Sequence, residues 1–191
     1  VKYRILFILV FLPFLGFSQE RGVGIRLGEP FSITYKDFLE DYLSYEVMVG
    51  SGGVNGSNYY QRSFENNPPN SNAFYLSHAA SRGVNLNFRM ALHEDITDTF
   101  EITEGYLLGY AGAGVQLRTT RVNYAYQPGL QTVVLTEERT NLDIGPEAFA
   151  GAEYYFDETP ISVFVEVGMF LELIDRINVK GQGGIGVRYL F

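Results

Sequence analysis

The chain has 191 residues, 46% of them apolar and 15% aromatic, with 21 glycines, no cysteine and no tryptophan. That size and composition fit one globular domain, and the lack of cysteine excludes a disulfide framework, thiol catalysis and a lipid-modified cysteine. Fourteen basic residues against 22 acidic ones give a net charge of -8, which excludes a sequence-independent grip on nucleic acid or anionic lipid, since both need Lys and Arg to neutralise phosphates.

The first residues, VKYRILFILVFLPFLGFS, set Lys2 and Arg4 ahead of an apolar run from Ile5 to Phe17, with Gly16 and Ser18 small at the spacing a signal peptidase reads. They predict a secretory signal over 1–18, cut between Ser18 and Gln19, and a mature domain over 19–191. The run is too short for the roughly 20 residues of a spanning helix.

Beyond the leader, apolar and polar residues alternate with period two, the mark of strands with two different faces. Strand one sets Val23, Ile25 and Leu27 against Gly24, Arg26 and Gly28, and strand two sets Phe31, Ile33 and Tyr35 against Ser32, Thr34 and Lys36. A turn over Leu39 to Leu43 leads to strand three, where Tyr45, Val47 and Val49 oppose Glu46, Met48 and Gly50. The Gly, Ser, Asn and Tyr mixture from Gly52 to Asn72, with Pro68 and Pro69, reads as a mobile surface loop. Phe74 to Arg82 then lengthens strand four, whose Val84, Leu86, Phe88, Met90 and Leu92 oppose Asn85, Asn87, Arg89 and Ala91.

An acidic link from His93 to Gly105 precedes strand five, with Ala111, Ala113, Val115 and Leu117 against Gly112, Gly114, Gln116 and Arg118. Alternation continues on both sides of Gln127-Pro128-Gly129-Leu130, which has proline and glycine where a type II turn wants them. Strands five and six are therefore expected to run on as a protruding hairpin. Strand six sets Leu142, Ile144, Ala148, Ala150, Ala152, Tyr154 and Phe156 against Asp143, Glu147, Phe149, Gly151 and Glu153. Pro146 inside it withholds an amide and predicts a bulge.

After a tight turn over Asp157 to Pro160, strand seven places Ile161, Val163, Val165, Val167, Met169, Leu171 and Leu173 opposite Ser162, Phe164, Glu166, Gly168, Phe170 and Glu172. Strand eight ends the series, with Ile185, Val187, Tyr189 and Phe191 against Gly184, Gly186, Arg188 and Leu190.

Eight such strands suit a barrel, and the polar face indicates which way it is turned. That face carries Arg26, Lys36, Arg89, Arg118 and Arg188 together with Glu46, Asp143, Glu147, Glu153, Glu166 and Glu172, interleaved with glycines. Near-balanced charges recurring mid-strand predict pairing inside a narrow bore, because eight strands leave room only for side chains. A soluble barrel or sandwich would instead bury the apolar face and leave the charges in water, where the glycines have no purpose. Lys180 to Phe191, at roughly 3.3 Å per residue and tilted about 40°, covers about 30 Å, enough for the hydrocarbon layer. Tyr45, Tyr154, Phe156, Tyr189 and Phe191 are expected to gather at one rim as an aromatic girdle.

The stretches GVGIRLGEPFSITYKDFL, GYAGAGVQL, EYYFDETPISVFVEVGMFLELI and GGIGVRYLF resemble the small porin-like outer-membrane β-barrel proteins of the OmpA/OmpX type, over essentially the mature chain. The resemblance implies an all-β, eight-stranded antiparallel up-and-down transmembrane barrel in a Gram-negative cell envelope, surrounded by outer-membrane lipid. It also implies insertion by the barrel assembly machinery, with Tyr189 and Phe191 as the C-terminal signal for it, and often no enzymatic activity. Unlike the two-part members, the chain has no periplasmic peptidoglycan-binding domain after Phe191, so no cell-wall tether is expected.

With a periplasmic C-terminus, the turns at 39–43, 93–105 and 157–160 are periplasmic and the longer segments face outward. The expected role is structural or adhesion-like: a monomer whose protruding hairpin offers strand edges to an extracellular protein partner. Three alternatives stay open: a narrow pore lined by Glu166, Glu172 and Arg188, a lipid-modifying enzyme using His78 with Ser77 or Ser81, and a soluble lipocalin-like carrier, although the tryptophan usual near that family's first strand is missing. His93 with Glu94, Asp95 and Asp98 could hold a divalent cation, but the spacing matches no calcium loop and lacks its glycine. No catalytic residue, metal site or cofactor is assigned.

Overall fold

The computed structural model describes residues 21–129, 133–174 and 177–191; the expected leader and cut between Ser18 and Gln19, and Leu130 of the expected turn, lie outside the described residues. Eight strands run in chain order: β1 (Gly22–Glu29), β2 (Phe31–Glu40), β3 (Leu43–Ser51), β4 (Ala73–Asp95), β5 (Tyr106–Pro128), β6 (Leu135–Tyr155), β7 (Ile161–Glu172) and β8 (Asn178–Leu190). Each pairs antiparallel with the next, and β1 pairs with β8 from Gly22↔Leu190 to Glu29↔Gly183, closing the barrel. The fold is the eight-stranded up-and-down barrel that the alternation predicts.

Its sidedness is inverted relative to a water-soluble protein. Val167, Leu92, Ile185 and Ile33 stand 66%, 60%, 59% and 59% exposed on the outside, while Arg26, Arg89, Arg118 and Arg188 are among the largest fully buried side chains. A closed ring pairs every wall strand on both edges, so such a barrel can present an apolar exterior to lipid without unpaired backbone groups. Tyr45, Tyr154, Phe156, Tyr189 and Phe191 all lie toward the end that carries the connections 41–42, 96–105 and 156–160, and Tyr154 meets Phe156 edge to face at 4.8 Å. We call this the short-turn end.

The opposite end is uneven. β4 and β5 have 23 residues each and β6 has 21, against 12 in β7 and 13 in β8. The β3–β4 ladder stops at Ser51↔Val84 and the β6–β7 ladder at Glu147↔Phe170, yet β4–β5 and β5–β6 continue to Ala73↔Pro128 and Tyr126↔Leu135. A three-stranded sheet therefore stands above the barrel wall, on the order of 30 Å of strand at roughly 3.3 Å per residue. At its tip Gly129 has φ +70°, the conformation a type II turn requires at that position.

Two expectations are corrected. The segment 52–72 is not a featureless loop: Ser57–Asn66 forms a helix, α1, preceded by Gly56 and followed by Asn67 and the two prolines. Tyr60 and Phe64, one helical turn apart, are each 1% exposed and pack on Val122, Tyr124 and Tyr126 of the tall sheet. This apolar contact holds a ten-residue helix that would not persist alone.

Pro146 causes no bulge. The β5–β6 register is unbroken, with Pro146 opposite Val115. The Leu173 amide donates to the Ile144 carbonyl at 3.1 Å, so the backbone groups of Ile144, and of Pro146 two residues on, face β7. There regular pairing starts only at Glu147, and the missing donor interrupts no bond of the β5 ladder.

Candidate functional site

Inside the barrel, alternation aims one residue in two at the axis. Eight of the eleven charges that the alternation places inside form one connected chain. Lys36 on β2 lies 2.7 Å from Glu153 on β6, and Arg188 on β8 lies 2.7 Å from Glu153 and 2.5 Å from Glu46 on β3. Arg89 on β4 reaches Glu46 at 3.6 Å, Glu147 at 2.9 Å and Glu166 at 2.8 Å, and Arg26 on β1 closes the chain on Glu166 at 3.3 Å. Neutral donors take up remaining oxygen lone pairs: Asn87 bonds Glu147 at 2.8 Å and Ser162 bonds Glu153 at 2.5 Å.

Aromatic rings and glycines complete the filling. The Arg188 guanidinium lies 3.8 Å from the Phe164 ring centroid and that of Arg89 lies 4.1 Å from Phe149. A Cβ on Gly186 would stand 2.3 Å from Phe164 Cζ, and one on Gly112 would stand 2.7 Å from Phe149 Cζ. The glycines along the polar face thus make room for rings that stack on the interior cations. Buried pairs of this kind are worth little net, but removing one partner leaves a charge without compensation.

The other three sit apart, at the tall end, where Lys180 joins them with its Nζ 3.5 Å from the Gly53 carbonyl. Arg118 pairs with Asp143, its Nε at 2.9 Å from Oδ2. The same guanidinium donates to the Gly53 carbonyl at 3.2 Å and to Asn55 Oδ1 at 3.0 Å, drawing the start of the β3–β4 connection into the mouth of the barrel. The Gly53 amide donates to Glu29 Oε1 at 2.5 Å. Among the described residues Glu172 joins no ion pair; it accepts a hydrogen bond from the Tyr59 hydroxyl of α1. Burial beside Glu172 pushes the Tyr59 hydroxyl well above the usual tyrosine range, so it stays a donor.

The sequence gives no hint of these anchors. Gly53, Asn55 and Tyr59 look like ordinary loop residues, and only the four-residue spacing of Tyr60 and Phe64 marks a helix face.

The remaining candidates are dispersed. His78 Nδ1 lies 2.6 Å from the Tyr75 hydroxyl, with the Tyr60 ring 5.3 Å away; Ser81 donates instead to the Arg121 carbonyl, and Ser77 is exposed. His93 turns inward to Ser44 at 2.8 Å, between the rings of Phe38 and Tyr110, while Glu94, Asp95 and Asp98 face solvent. Among the described residues no group of three metal-ligating side chains converges. Tyr189 and Phe191 both point outward, 58% exposed, and the Phe191 amide donates to the Arg21 carbonyl at 2.9 Å.

Comparison with solved structures finds chain-wide similarity to small barrels at low identity. The chain is similar to the N-terminal β-barrel domain of Pseudomonas aeruginosa OprF, with 16% identity, a TM-score of 0.45 and coverage of 91% of this chain and 96% of that one. It is also similar to Ail, the attachment invasion locus protein of Yersinia pestis, with 9% identity, a TM-score of 0.49 and coverage of 92% and 100%. A third similar structure is Neisserial surface protein A, with 13% identity, a TM-score of 0.45 and coverage of 91% and 94%. No protein-family model matches the chain, and no curated protein matches it by sequence.

Proposed function

We propose that this chain is an integral barrel of the bacterial outer membrane that acts as a surface-interaction protein, adhesion-like, through the sheet formed by the upper parts of β4, β5 and β6. The short-turn end faces the periplasm and the tall end faces the outside of the cell. The observation that carries the reading is the sheet itself: three strands continue beyond the wall, paired with one another and, among the described residues, with no wall strand beside them. Strand edges held clear of the surface are open to pairing with another chain, and α1, packed on the inner face, stiffens the platform.

A bore crossed by Arg89, Glu147, Glu166 and Arg188 supports a structural interior over a conduit, and the dispersal of His78 from Ser77 and Ser81 supports a non-enzymatic role. The test compares cells displaying the intact chain with cells displaying a version lacking 123–137, scored for attachment to immobilised serum and matrix proteins. Loss of attachment with normal barrel insertion is expected; equal attachment by both overturns the proposal.

A further inference from the structure

The outer faces of the first three strands carry Val23, Ile25, Leu27, Ile33, Val47 and Val49, the apolar surface that a lipid-facing wall requires. Two charges break this pattern at the short-turn end. Arg21 stands just ahead of β1, and Asp37 lies near the end of β2 on the same face as Ile33 and Tyr35. The β1–β2 register, with Gly22 opposite Lys36, sets Arg21 opposite Asp37, and the guanidinium Nε lies 3.2 Å from Asp37 Oδ2. The Phe191 amide, bonded to the Arg21 carbonyl at 2.9 Å, ties this backbone to the end of β8.

The carboxylate is unevenly served. The Tyr35 hydroxyl at 3.3 Å and the Tyr45 hydroxyl at 3.2 Å both donate to Oδ2, the oxygen that already faces Arg21. Asp37 is only 6% exposed, yet its Oδ1 accepts no hydrogen bond from a described residue, although an ionised carboxylate has acceptor sites on both oxygens. Among the described residues, the contact to Asp37 uses only Nε of Arg21. The Tyr35 and Tyr45 rings stand beside the pair, 6.1 Å apart.

A group that completes this cluster must bring an N–H cation to Asp37 Oδ1 and an anion to the open end of the Arg21 fork, at the level where wall meets headgroups. We infer that Arg21, Tyr35, Asp37 and Tyr45 form a headgroup site for a phospholipid with a primary ammonium. The ammonium donates to Asp37 Oδ1, the phosphate accepts from the terminal nitrogens of Arg21, and the acyl chains run along Val23 and Ile33. A quaternary ammonium has no N–H to give, and an anionic headgroup without a cation brings like charge to Asp37. This rests on the reading of the chain as a membrane barrel and is independent of the tall sheet. A mere clasp between strand ends would hold the barrel closed without distinguishing one lipid from another.

For the test, the protein purified from membranes is moved into nanodiscs of equimolar phosphatidylethanolamine, its N,N-dimethyl derivative and phosphatidylcholine, with matched acyl chains. Native mass spectrometry counts the lipids retained on the released chain. Retention of the ethanolamine lipid about tenfold over the choline lipid is expected, the scale of one hydrogen bond to a charged group. The dimethyl lipid, which keeps one N–H, should also be retained above the choline lipid.

Asp37→Asn should equalise retention of the ethanolamine and choline lipids, whereas Arg21→Gln should weaken retention of both, since both carry the phosphate. Heat-modifiable migration of each variant verifies the folded barrel. Equal retention of the two lipids by the parent chain, a preference that survives Asp37→Asn, or unchanged retention in Arg21→Gln overturns the inference. So does equal loading by soluble O-phosphoethanolamine in choline-lipid nanodiscs, which assigns the cluster to a free amine phosphate. A barrel that inserts yet shows no preference loses this site and keeps its surface role; a chain that stays in solution without lipid or detergent loses both.

Discussion

Arg89 on β4 and Glu166 on β7 meet across the bore at 2.8 Å although 77 residues separate them in the chain. The same guanidinium holds Glu147 through Nε and Nη2, so one cation anchors carboxylates from two further strands. Substituting Arg89→Met should cost about 3–5 kcal/mol, because Glu147 remains buried without a cation and Glu166 keeps only Arg26. Urea unfolding of the barrel in detergent micelles measures this. Arg89→Lys should recover only part, since a point charge cannot serve both acids in the same fork geometry.

The lipid-facing wall makes a second prediction. Val167 lies near the middle of β7 and is 66% exposed. Val167→Lys should destabilise the barrel in a bilayer by about 2–4 kcal/mol, the cost of a cation near the hydrocarbon midplane. Ser81→Lys, on the tall sheet, should shift it by less than about 0.5 kcal/mol. Equal effects at the two positions in bilayer unfolding experiments would show that the apolar face does not meet lipid.

A third concerns α1. Phe64 packs against Tyr75, Tyr124 and Tyr126, with ring centroids 5.2 to 5.8 Å away. Phe64→Ala should remove about 3–5 kcal/mol of docking energy from the helix, in the range of buried phenylalanine truncations. Hydrogen exchange over 57–66 should become fast, while heat-modifiable migration of the barrel stays as in the parent chain.

The helix contact should also respond to acid. Burial lowers the pKa of His78 below its ordinary value, and its ring packs 5.3 Å from that of Tyr60 on α1. As pH falls below about 6.5, the opened form takes up a proton that the docked form resists, so the docked form loses stability through that window. Protection of the amides over 57–66, measured against intrinsic exchange at each pH, should therefore fall between about pH 7 and pH 5. His78→Gln should flatten the dependence.

The fold is legible in the chain because each wall strand has two environments, lipid and bore, and a one-residue slip would exchange them all. That is why Ile185, Val187 and Tyr189 can be separated from Gly186 and Arg188 by inspection. Partners within the bore are not legible in the same way. Arg89 finds carboxylates on β3, β6 and β7, and which of them it meets depends on strand stagger around the closed ring. The segment 52–72 misleads for a different reason. Its Gly, Ser, Asn and Pro residues are turn formers, and its helix is stabilised by aromatic residues of β5 far along the chain.

Pro146 shows a local rule giving way to a geometric one. A proline in a closed sheet signals a defect only if its missing amide faces a paired neighbour, and here it faces the margin where one neighbour ends. Sequence alone specifies the residue but not the side to which its nitrogen points.

The unequal strand lengths give the molecule a front and a back. Where β7, β8, β1 and β2 end low, the rim sits close to the lipid headgroups; where β4, β5 and β6 continue, it rises as a screen on one flank only. In the proposed orientation, anything arriving from outside would meet a cliff from one bearing and open ground from the other. As the barrel spins in the plane of the membrane, the tall flank alternately turns away and comes forward, so with the proposed surface role capture would depend on azimuth as well as on distance.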